Sequence, residues 1–424
     1  MIIKAENLTL EYDGVKVFSN ISFTVGEGEA LILTGRNGSG KTSLLKIISG
    51  IIPWIKQGKV SGELYIDDLN PLENPNPIAY KVRMLPPDPQ QFLLAPTPYD
   101  DIGFSLSILG MKNVKERIEN IASRLSLTDI LYNPILELSS GQQQKTAIAS
   151  TIAPGVKCLL LDEPISHLDW IEKDNLLKLM QELKNKGFCF IIATHYPEYF
   201  HNIGDTILTL DKYSPEHCGD LRYSVKTDDQ RIVLRASNLS YVYPNGNSVL
   251  KEINLDLQKG EILVIYGRNG SGKSTLLYTL AGILRPSTGS ISYEFKPAIL
   301  PSDPIKVFTM PTLRKELSSY NINPSLVRVF EIEDLMDRPL NYLSTGELKK
   351  SALTLLFATG SRILLMDEPE AGLDPKSRCQ LAELITRLSR LGISVIVTTH
   401  DRDFGHIIAT RELVLEEGEL KDAT

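Results

Sequence analysis

A glycine-rich stretch that occurs twice constrains the fold of this chain more than any other feature. Residues Gly35–Thr42 read GRNGSGKT, and residues Gly267–Ser274 read GRNGSGKS. Each stretch follows an apolar run and precedes a segment with apolar residues at helical spacing. Glycines let backbone N–H groups turn inward around an anion, and the N-terminus of the next helix adds partial positive charge. The strand–loop–helix context therefore predicts two phosphate-binding loops rather than ordinary glycine turns.

The residues that end each loop are predicted to carry nucleotide and metal chemistry. Lys41 and Lys273 would reach the β- and γ-phosphates of a nucleotide. The hydroxyls of Thr42 and Ser274 would bind Mg²⁺. The predicted phosphate-binding residues are Gly35, Asn37, Gly38, Ser39, Gly40, Lys41, Thr42 and Ser43 in the first copy, and Gly267, Asn269, Gly270, Ser271, Gly272, Lys273, Ser274 and Thr275 in the second.

Three further motifs recur in the same order, which indicates a tandem duplication. They are a Leu-Ser-x-Gly motif at 138–141 and 343–346, an Asp-Glu-Pro motif at 162–164 and 367–369, and a Thr-His pair at 194–195 and 399–400. These three motifs are equally spaced in both copies, and the second copy is shorter between its glycine loop and its Leu-Ser motif. We predict a first domain over residues 1–215, a linker over 216–230 and a second domain over 231–424.

The hydrophobic pattern predicts an α/β fold in each copy. The alternation of polar and apolar residues in Ile2–Leu10 is typical of antiparallel strands with one wet face. The apolar runs Cys158–Leu161 and Phe190–Ala193 predict parallel strands that are covered on both faces. Leucines at helical spacing between these runs complete a strand–helix–strand crossover unit. Each copy should therefore have a mainly parallel sheet core and an antiparallel β subdomain.

Acidic residues follow the predicted parallel strands. Asp162 and Asp367 end apolar runs, where a carboxylate can hold Mg²⁺ directly or through water. Glu163 and Glu368 come next and are candidate catalytic residues that would orient or deprotonate an attacking water. The alternative is an acid that caps a helix after a strand end.

A histidine follows another apolar run in each copy. His195 and His400 each come after a threonine, and we predict that each donates a hydrogen bond to the γ-phosphate. A structural histidine at a strand end is the alternative, and the repetition at constant spacing favours the functional interpretation.

Composition excludes several classes of protein. The net charge of −7 disfavours sustained wrapping of nucleic acid. No apolar run approaches the roughly 18 residues that a membrane span needs. The beginning of the chain lacks the layout of a signal peptide. The four cysteines have no metal-ligand spacing, and Cys158 and Cys189 are expected to be core thiols of a reduced, cytosolic protein.

The motif set resembles two ABC (ATP-binding cassette) ATPase domains of the P-loop NTPase class fused in one chain. The sequences LSSGQ and LSTGE are similar to the signature motif of that family, and Asp169 and Asp374 match its D-loop aspartate. The resemblance implies that Tyr12 and Tyr243 stack on adenine, with packing on a strand as the alternative. It also implies that each copy has a helical subdomain, which lies after the glycine loop and meets a membrane partner.

The same resemblance implies two composite ATP·Mg²⁺ sites in an intramolecular head-to-tail pair of domains. Ser344 and Gly346 would complete the first copy's site, and Ser139 and Gly141 would complete the second copy's site. Because both catalytic glutamates are present, both sites should be competent for hydrolysis. The unequal lengths of 98–134 and 311–339 suggest unequal docking of the two helical subdomains, with ordinary loop-length variation as the alternative.

Residues 95–104 (APTPYDDIGF) and 88–91 (DPQQ) resemble segments of energy-coupling-factor (ECF) transporter ATPases. This resemblance implies an ATP-binding subunit that is peripheral on the cytoplasmic face of the cell membrane and drives import by separate membrane-embedded subunits. Cobalt, nickel, biotin, thiamine precursors and riboflavin remain open as substrates. The alternative is a soluble tandem ABC protein that acts on ribosomes or nucleic acid. The acidic charge and the lack of a long charged linker or iron–sulfur cysteines disfavour it, so no nucleic-acid partner is expected.

One departure from the family pattern lies in the Q-loop. The glutamine expected there falls on Pro87 in the first copy and on Ser302 in the second. A glutamine at 90–91 could substitute if the loop shifts. Alternatively, Asp88 and Asp303 would take over the metal-linked contact. The departure bears on how hydrolysis is coupled to a membrane partner, and not on ATP binding.

Overall fold

The computed structural model describes residues 2–36, 38–89, 92–166, 168–210, 231–244, 246–320, 327–328 and 330–423. It divides into two compact units, Met1–Ser214 and Pro215–Thr424. The predicted linker over 216–230, the predicted phosphate ligand Asn37 and the glutamines at 90–91 lie outside the described residues.

The first unit contains a three-stranded antiparallel sheet and a five-stranded parallel sheet. The described strands are β1 (Ile3–Tyr12), β2 (Val15–Val25), β3 (Ala30–Thr34), β4 (Lys59–Ile66), β5 (Val82–Leu85), β6 (Cys158–Asp162), β7 (Cys189–Ala193) and β8 (Thr206–Thr209). The described α-helices are α1 (Lys41–Ile48), α2 (Pro98–Ile108), α3 (Val114–Arg124), α4 (Ser140–Ile152) and α5 (Trp170–Asn185). The strand orders are β2-β1-β4 and β5-β6-β7-β3-β8. Because β7 lies between β6 and β3, the carboxyl ends of these three strands meet at one edge.

The parallel sheet separates two hydrophobic clusters, because successive side chains of a strand point to opposite faces. Leu31 and Leu33 of β3 pack with α1 and the antiparallel sheet, whereas Ile32 packs with the cluster that includes α2 to α5. Burial of each such side chain contributes roughly 1.5–3 kcal/mol. Cys158 and Cys189 pair in register on β6 and β7 and are free and buried, as predicted for core thiols.

The second unit repeats this plan. Its described strands are β9 (Ile232–Val242), β10 (Ser248–Gln258), β11 (Ile262–Tyr266), β12 (Thr288–Tyr293), β13 (Ala298–Leu300), β14 (Ile363–Asp367), β15 (Ser394–Thr399), β16 (Arg411–Glu416) and β17 (Glu419–Asp422). Its described α-helices are α6 (Lys273–Leu280), α7 (Leu313–Leu317), α8 (Thr345–Ala358), α9 (Pro375–Arg390) and α10 (Arg402–Ile408). The strand orders are β10-β9-β12 and β13-β14-β15-β11-β16-β17, with only β17 antiparallel to its neighbour within the larger sheet.

The predicted α/β fold, with antiparallel β and helical subdomains, is confirmed in both units. The helical region of the first unit contains α2 and α3, and α3 buries Ile118 and Ile121 beneath a charged outer face. The corresponding region of the second unit begins with the short α7. Residues 321–326 of this region are not among the described residues. Within the part of the chain that the structure describes, no helix has the length and apolar character to cross a bilayer.

Candidate functional site

The two glycine loops leave β3 and β11 and lead directly into α1 and α6. Gly40 and Gly272 stand immediately before these helices with φ of 97° and 101°. This left-handed conformation favours glycine over residues that carry a Cβ. A Cβ at Gly40 would also lie 2.7 Å from Cγ1 of Val17, which packs beneath the loop. The turn that aims each helix N-terminus therefore depends on glycine.

Lys41 and Lys273 fold back over their own loops. The Nζ of Lys41 donates to the carbonyl of Gly35 at 2.7 Å, and the Nζ of Lys273 donates to the carbonyl of Gly267 at 2.8 Å. Both lysines are largely buried, with 7% and 5% of their surface exposed. Each loop thus places a sheltered ammonium group beside the N-terminus of a helix, where an anion is stabilised.

The hydroxyls of Ser39 and Ser271 show that the loops fit a phosphate. Both oxygen atoms are buried, and neither has a hydrogen-bond partner in the structure. A buried hydroxyl without a partner costs free energy that a phosphate oxygen would recover. The predicted ligands Ser43 and Thr275 lie in the first turns of α1 and α6, behind these loops.

A carboxylate and a hydroxyl meet beside each loop. Asp162 and Asp367 are the last residues of β6 and β14, and both are buried. Burial raises the pKa of both carboxyls, and hydrogen bonds from Thr42 and Ser274 respectively oppose the rise. The Oγ of Ser274 lies 2.6 Å from Oδ2 of Asp367.

This pairing of hard oxygen ligands suits Mg²⁺, which usually completes its shell with water and substrate phosphates. The unpartnered Oδ2 of Asp162 is a further buried oxygen that a cation would satisfy. Among the described residues there is no group of three or more His, Cys, Asp or Glu side chains that could hold a metal alone. The metal prediction of one hydroxyl and one carboxylate per site, Thr42 with Asp162 and Ser274 with Asp367, therefore fits the geometry.

Glu163 and Glu368 occupy the same unusual backbone conformation. Their φ angles are 47° and 46°, in the left-handed region that residues other than glycine seldom adopt. The backbone N–H of Glu163 donates to the carbonyl of Ala193, and that of Glu368 to the carbonyl of Thr398, both at 2.9 Å. Each bond ties the glutamate to the neighbouring parallel strand, so both units hold this residue in one strained turn.

The two glutamate side chains nevertheless differ in charge. The Nδ1 of His400 lies 3.2 Å from Oε1 of Glu368, and the Nζ of Lys273 lies 3.5 Å from the same oxygen. Burial opposes ionisation, but these two partners prevail and lower the pKa of Glu368 to about 2. The Nε2 of His195 is 3.7 Å from Oε1 of Glu163, and burial raises the pKa of Glu163 to about 8. Glu368 is therefore ionised at neutral pH, whereas Glu163 is protonated.

Replacing these glutamates with glutamine should change stability in opposite directions. Between pH 4.5 and about 8 the native state holds a proton on Glu163 that the unfolded chain releases, so Glu163 lowers the free energy of unfolding as pH rises. The depressed pKa of Glu368 contributes stability above pH 4.5, which is lost as pH falls toward about 2. At about pH 8, Glu163→Gln should raise and Glu368→Gln should lower the free energy of unfolding, each by on the order of 1–3 kcal/mol.

Differential scanning calorimetry without nucleotide, at several pH values, measures both effects. The increase in the free energy of unfolding that Glu163→Gln causes should grow with pH and vanish near pH 4.5. If the free energy of unfolding changed in the same direction in both variants, Glu163 and Glu368 would not differ in charge.

The remaining predicted residues begin helices. Ser139 and Ser344 are the N-caps of α4 and α8, and each forms a reciprocal capping box with the residue three positions later in the chain. Gly141 and Gly346 lie in the first turns of these helices. Asp169 and Asp374 are the N-caps of α5 and α9, where both accept backbone N–H bonds and Asp169 also forms a capping box with Glu172. The signature and D-loop segments are therefore well-formed helix N-termini. Their approach to the other copy's glycine loop remains a prediction.

The tyrosines and the Q-loop acid have local partners. Tyr12 is the last residue of β1 and packs at the edge of the core, with the Nζ of Lys56 5.6 Å from the centre of its ring. Tyr243 shares a hydrogen bond of 3.0 Å with Thr275 and packs edge-on against Tyr241. Asp303 accepts a hydrogen bond from the N–H of Ile305 at 3.3 Å. Adenine stacking and the metal-linked role of Asp303 both remain predictions.

Two threonines contact site acids that the sequence did not associate with them. The Oγ1 of Thr398 donates to Oδ1 of Asp367 at 2.8 Å, and the Oγ1 of Thr194 donates to Oε2 of Glu163 at 3.4 Å. Thr194 belongs to the repeated Thr-His pair at 194–195, which was a signal for a polar residue at that strand end, whereas Thr398 precedes the pair at 399–400 and had no such signal.

A parallel sheet with a glycine loop, a buried lysine and an acidic strand end defines the class of P-loop ATPases, and this chain contains two such sites. A family model described as ABC transporter matches residues 18–166 and 250–371. The chain therefore belongs to the ABC transporter family, as an ATP-hydrolysing tandem ABC protein.

Relatives match this chain over nearly its whole length. A protein of Treponema denticola named "Putative ABC transporter ATP-binding protein" is 28% identical over 99% of this chain and 96% of its own length. A protein of Bacillus subtilis named "Putative HMP/thiamine import ATP-binding protein YkoD" is 25% identical over 98% of this chain and 90% of its own length.

Solved structures share the fold. A structure titled "RNase-L Inhibitor" superposes with a TM-score of 0.69 at 21% identity, over 97% of this chain and 89% of its own. Another, titled "Model of ribosome-bound archaeal Pelota and ABCE1", has a TM-score of 0.75 at 20% identity, over 98% of this chain and 78% of its own. At this level of identity the likeness concerns the fold alone.

Proposed function

We propose that this protein is the ATP-binding subunit of an ABC importer of the ECF type. It would lie peripherally on the cytoplasmic face of the cell membrane and drive transport by separate membrane-embedded subunits. The observation that carries the proposal is full-length similarity to relatives named as transporter ATP-binding proteins, one of them named for import. The substrate would be selected by another subunit, and thiamine precursors are one class to test.

The segment that resembles ECF ATPases is firmly anchored in the first unit, which supports a docking role. Asp101 of α2 is only 4% exposed. Its carboxylate accepts backbone N–H bonds from Leu94 and Ala95, and Ser150 of α4 donates to it at 2.7 Å. A fully bonded buried carboxylate fixes the segment on the signature helix α4. Movement of that helix would thus reach the surface of α2.

In the proposed mechanism each unit provides the phosphate-binding loop for one ATP and the signature motif for the other. Lys41 or Lys273 would bind the β- and γ-phosphates, and bound Mg²⁺ would neutralise developing charge on them. Glu163 or Glu368 would orient or deprotonate the attacking water. Two bound ATP molecules would stabilise the closed pair of domains, residues 1–215 and 231–424, and hydrolysis would release it.

The histidines and signature residues complete each proposed site. His195 and His400 would hold the γ-phosphate from beside the glutamates, with which both already associate. Ser344 and Gly346 would serve the first site, and Ser139 and Gly141 the second. Both helix N-termini favour bound anions, which suits this role.

Polar replacement of exposed apolar residues on α2 tests the importer proposal. Phe104 and Ile108 are 49% and 57% exposed, so Phe104→Ser combined with Ile108→Ser should not damage the core. We expect co-purification of integral membrane proteins with the tagged chain from detergent extracts to fall by about tenfold, since loss of two buried apolar contacts costs about 1.4 kcal/mol or more. Basal ATPase activity should stay unchanged.

The matched control is Ile207→Ser, a residue on β8 that is 61% exposed, and this variant should retain the membrane partner. Sedimentation of the unaltered chain with ribosomes, and not with membrane proteins, would contradict the proposal and favour the ribosome-associated alternative that the shared fold permits.

A further inference from the structure

Lys349, on the signature helix α8, is a buried lysine that the proposed mechanism does not use. It is only 2% exposed. Its Nζ donates to three backbone carbonyls, those of Glu368 at 3.4 Å, Pro369 at 2.7 Å and Ala371 at 2.5 Å. All three carbonyls belong to the turn that begins at the catalytic candidate. The ammonium group therefore joins the signature helix to the backbone of that turn.

A buried carboxylate accompanies this ammonium group. Glu370 is 5% exposed, accepts a hydrogen bond from Thr399 and has a second oxygen, Oε2, with no hydrogen-bond partner. Burial lowers the pKa of Lys349 to about 8, and the charges of Glu370 and Glu368 oppose the decrease. A buried cation needs such compensation, because a lone charge in the interior is strongly destabilising. The ammonium group of Lys349 therefore lies within the electrostatic influence of two acidic side chains.

The first unit builds the same turn without either charge. Gln144 and Ile165 occupy the corresponding positions, and both are buried. The Nε2 of Gln144 donates to one carbonyl, that of Pro164, at 3.2 Å. The signature helix α4 is instead joined to α5 by an ion pair between Lys145 and Glu172 at 3.0 Å. Both charges are present in one copy of the duplication and absent from the other.

We propose that Lys349 is a positioning residue for hydrolysis at the second site. It holds the turn 368–371 against α8, so that the carboxylate of Glu368 keeps its place beside His400 and Lys273. Hydrogen bonds from a charged donor are stronger than those from an amide, so three of them restrain the turn more than the single bond of Gln144 does. The proposal rests on the catalytic role of Glu368 proposed above.

The substitution Lys349→Gln installs the residue that the first unit uses and tests this role. It should be measured in a Glu163→Gln background, where hydrolysis depends on Glu368, and in a Glu368→Gln background, where hydrolysis depends on Glu163. In the first background we expect kcat to fall about tenfold while KM for ATP changes less than about twofold, since the substitution misplaces a reacting group without removing a nucleotide contact. In the second background we expect turnover to be retained.

The two backgrounds separate positioning from structural damage. Because Ser344 begins α8 and is proposed to serve the first site, general damage to α8 would lower turnover in both backgrounds. Equal losses in both would therefore overturn the proposal. Lys350→Gln is the matched control, since it removes a neighbouring lysine whose ion pair with Glu331, at 3.5 Å, lies at the surface.

Hydrogen–deuterium exchange of the full chain provides a readout that needs no turnover. In Lys349→Gln, amides in the peptide 366–372 should exchange about tenfold faster, because the turn loses about 1.4 kcal/mol of restraint. Peptides that cover the loop 267–274 should be unchanged. Unaltered exchange in 366–372 would overturn the proposal, whatever the ATPase result. Full turnover in both parent Glu→Gln proteins would instead refute the catalytic assignment, and the exchange result would still decide the role of Lys349.

Discussion

Glu368→Gln should lower ATP turnover at the second site by about 10²- to 10⁴-fold, the usual contribution of a positioned general base. The carboxylate is ionised, with a pKa of about 2, and is held by His400 and Lys273, so it can orient an attacking water by accepting its hydrogen bond. Glutamine keeps the shape of the side chain but lacks the negative charge that orients this water. Steady-state phosphate release, measured in the Glu163→Gln background, isolates this site.

Binding must be followed alongside turnover. ATP affinity of Glu368→Gln should stay within about threefold of the parent, because the phosphate-binding loop is untouched. Glu416→Gln, at an exposed glutamate on β16, is the control for loss of a negative charge. Turnover that survives when Glu368→Gln is combined with Glu163→Gln would refute the catalytic role of Glu368.

The first site should respond differently to pH. Glu163 is protonated below a pKa of about 8, so a base at this position becomes active only as pH rises through that value. In the Glu368→Gln background turnover should therefore climb between about pH 6 and pH 8, whereas in the Glu163→Gln background it should stay nearly flat over the same range. Parallel pH profiles would show that the two glutamates share one environment during turnover.

Lys273→Ala should weaken ATP binding at the second site by about 100-fold, and Lys41→Ala should do the same at the first. Each lysine presents a sheltered positive charge where the phosphates are expected, and alanine leaves that anion with only the loop amides and the helix N-terminus. Isothermal titration calorimetry should show one tight ATP per chain for either single variant and none for the double variant.

Lys251→Ala, at an exposed lysine on β10, is the control for charge removal. Circular dichroism should confirm that the fold is intact, since α1 and α6 are anchored by buried leucines behind the lysine. Tight binding that persists at both sites in the double variant would contradict the assignment of these loops to ATP.

The strands, helices and loops of the sites were predictable because their causes are local. Gly40 and Gly272 need a left-handed backbone, the apolar runs before Asp162 and Asp367 can only be buried strands, and the helix at each lysine follows from its spacing of leucines. The duplication doubled each signal. The contacts of Lys349 were not predictable, because a lysine in a helix is ordinarily a surface residue and its burial depends on carbonyls about twenty residues away.

The sequence by itself determined that two P-loop ATPase units exist and that the family is that of ABC transporters, and it predicted which residues would carry the chemistry in each unit. The glycine positions and the hydrophobic periodicity act over a few residues. Together with the order of the motifs they are compatible with few other folds. Only the tertiary structure decided that Glu163 and Glu368, alike in motif and backbone, differ in charge. The pKa of a buried carboxyl depends on how near a partner such as His195 or His400 comes, and on how much water is excluded. Both depend on distances in the folded structure, which the spacing of residues in the sequence does not give.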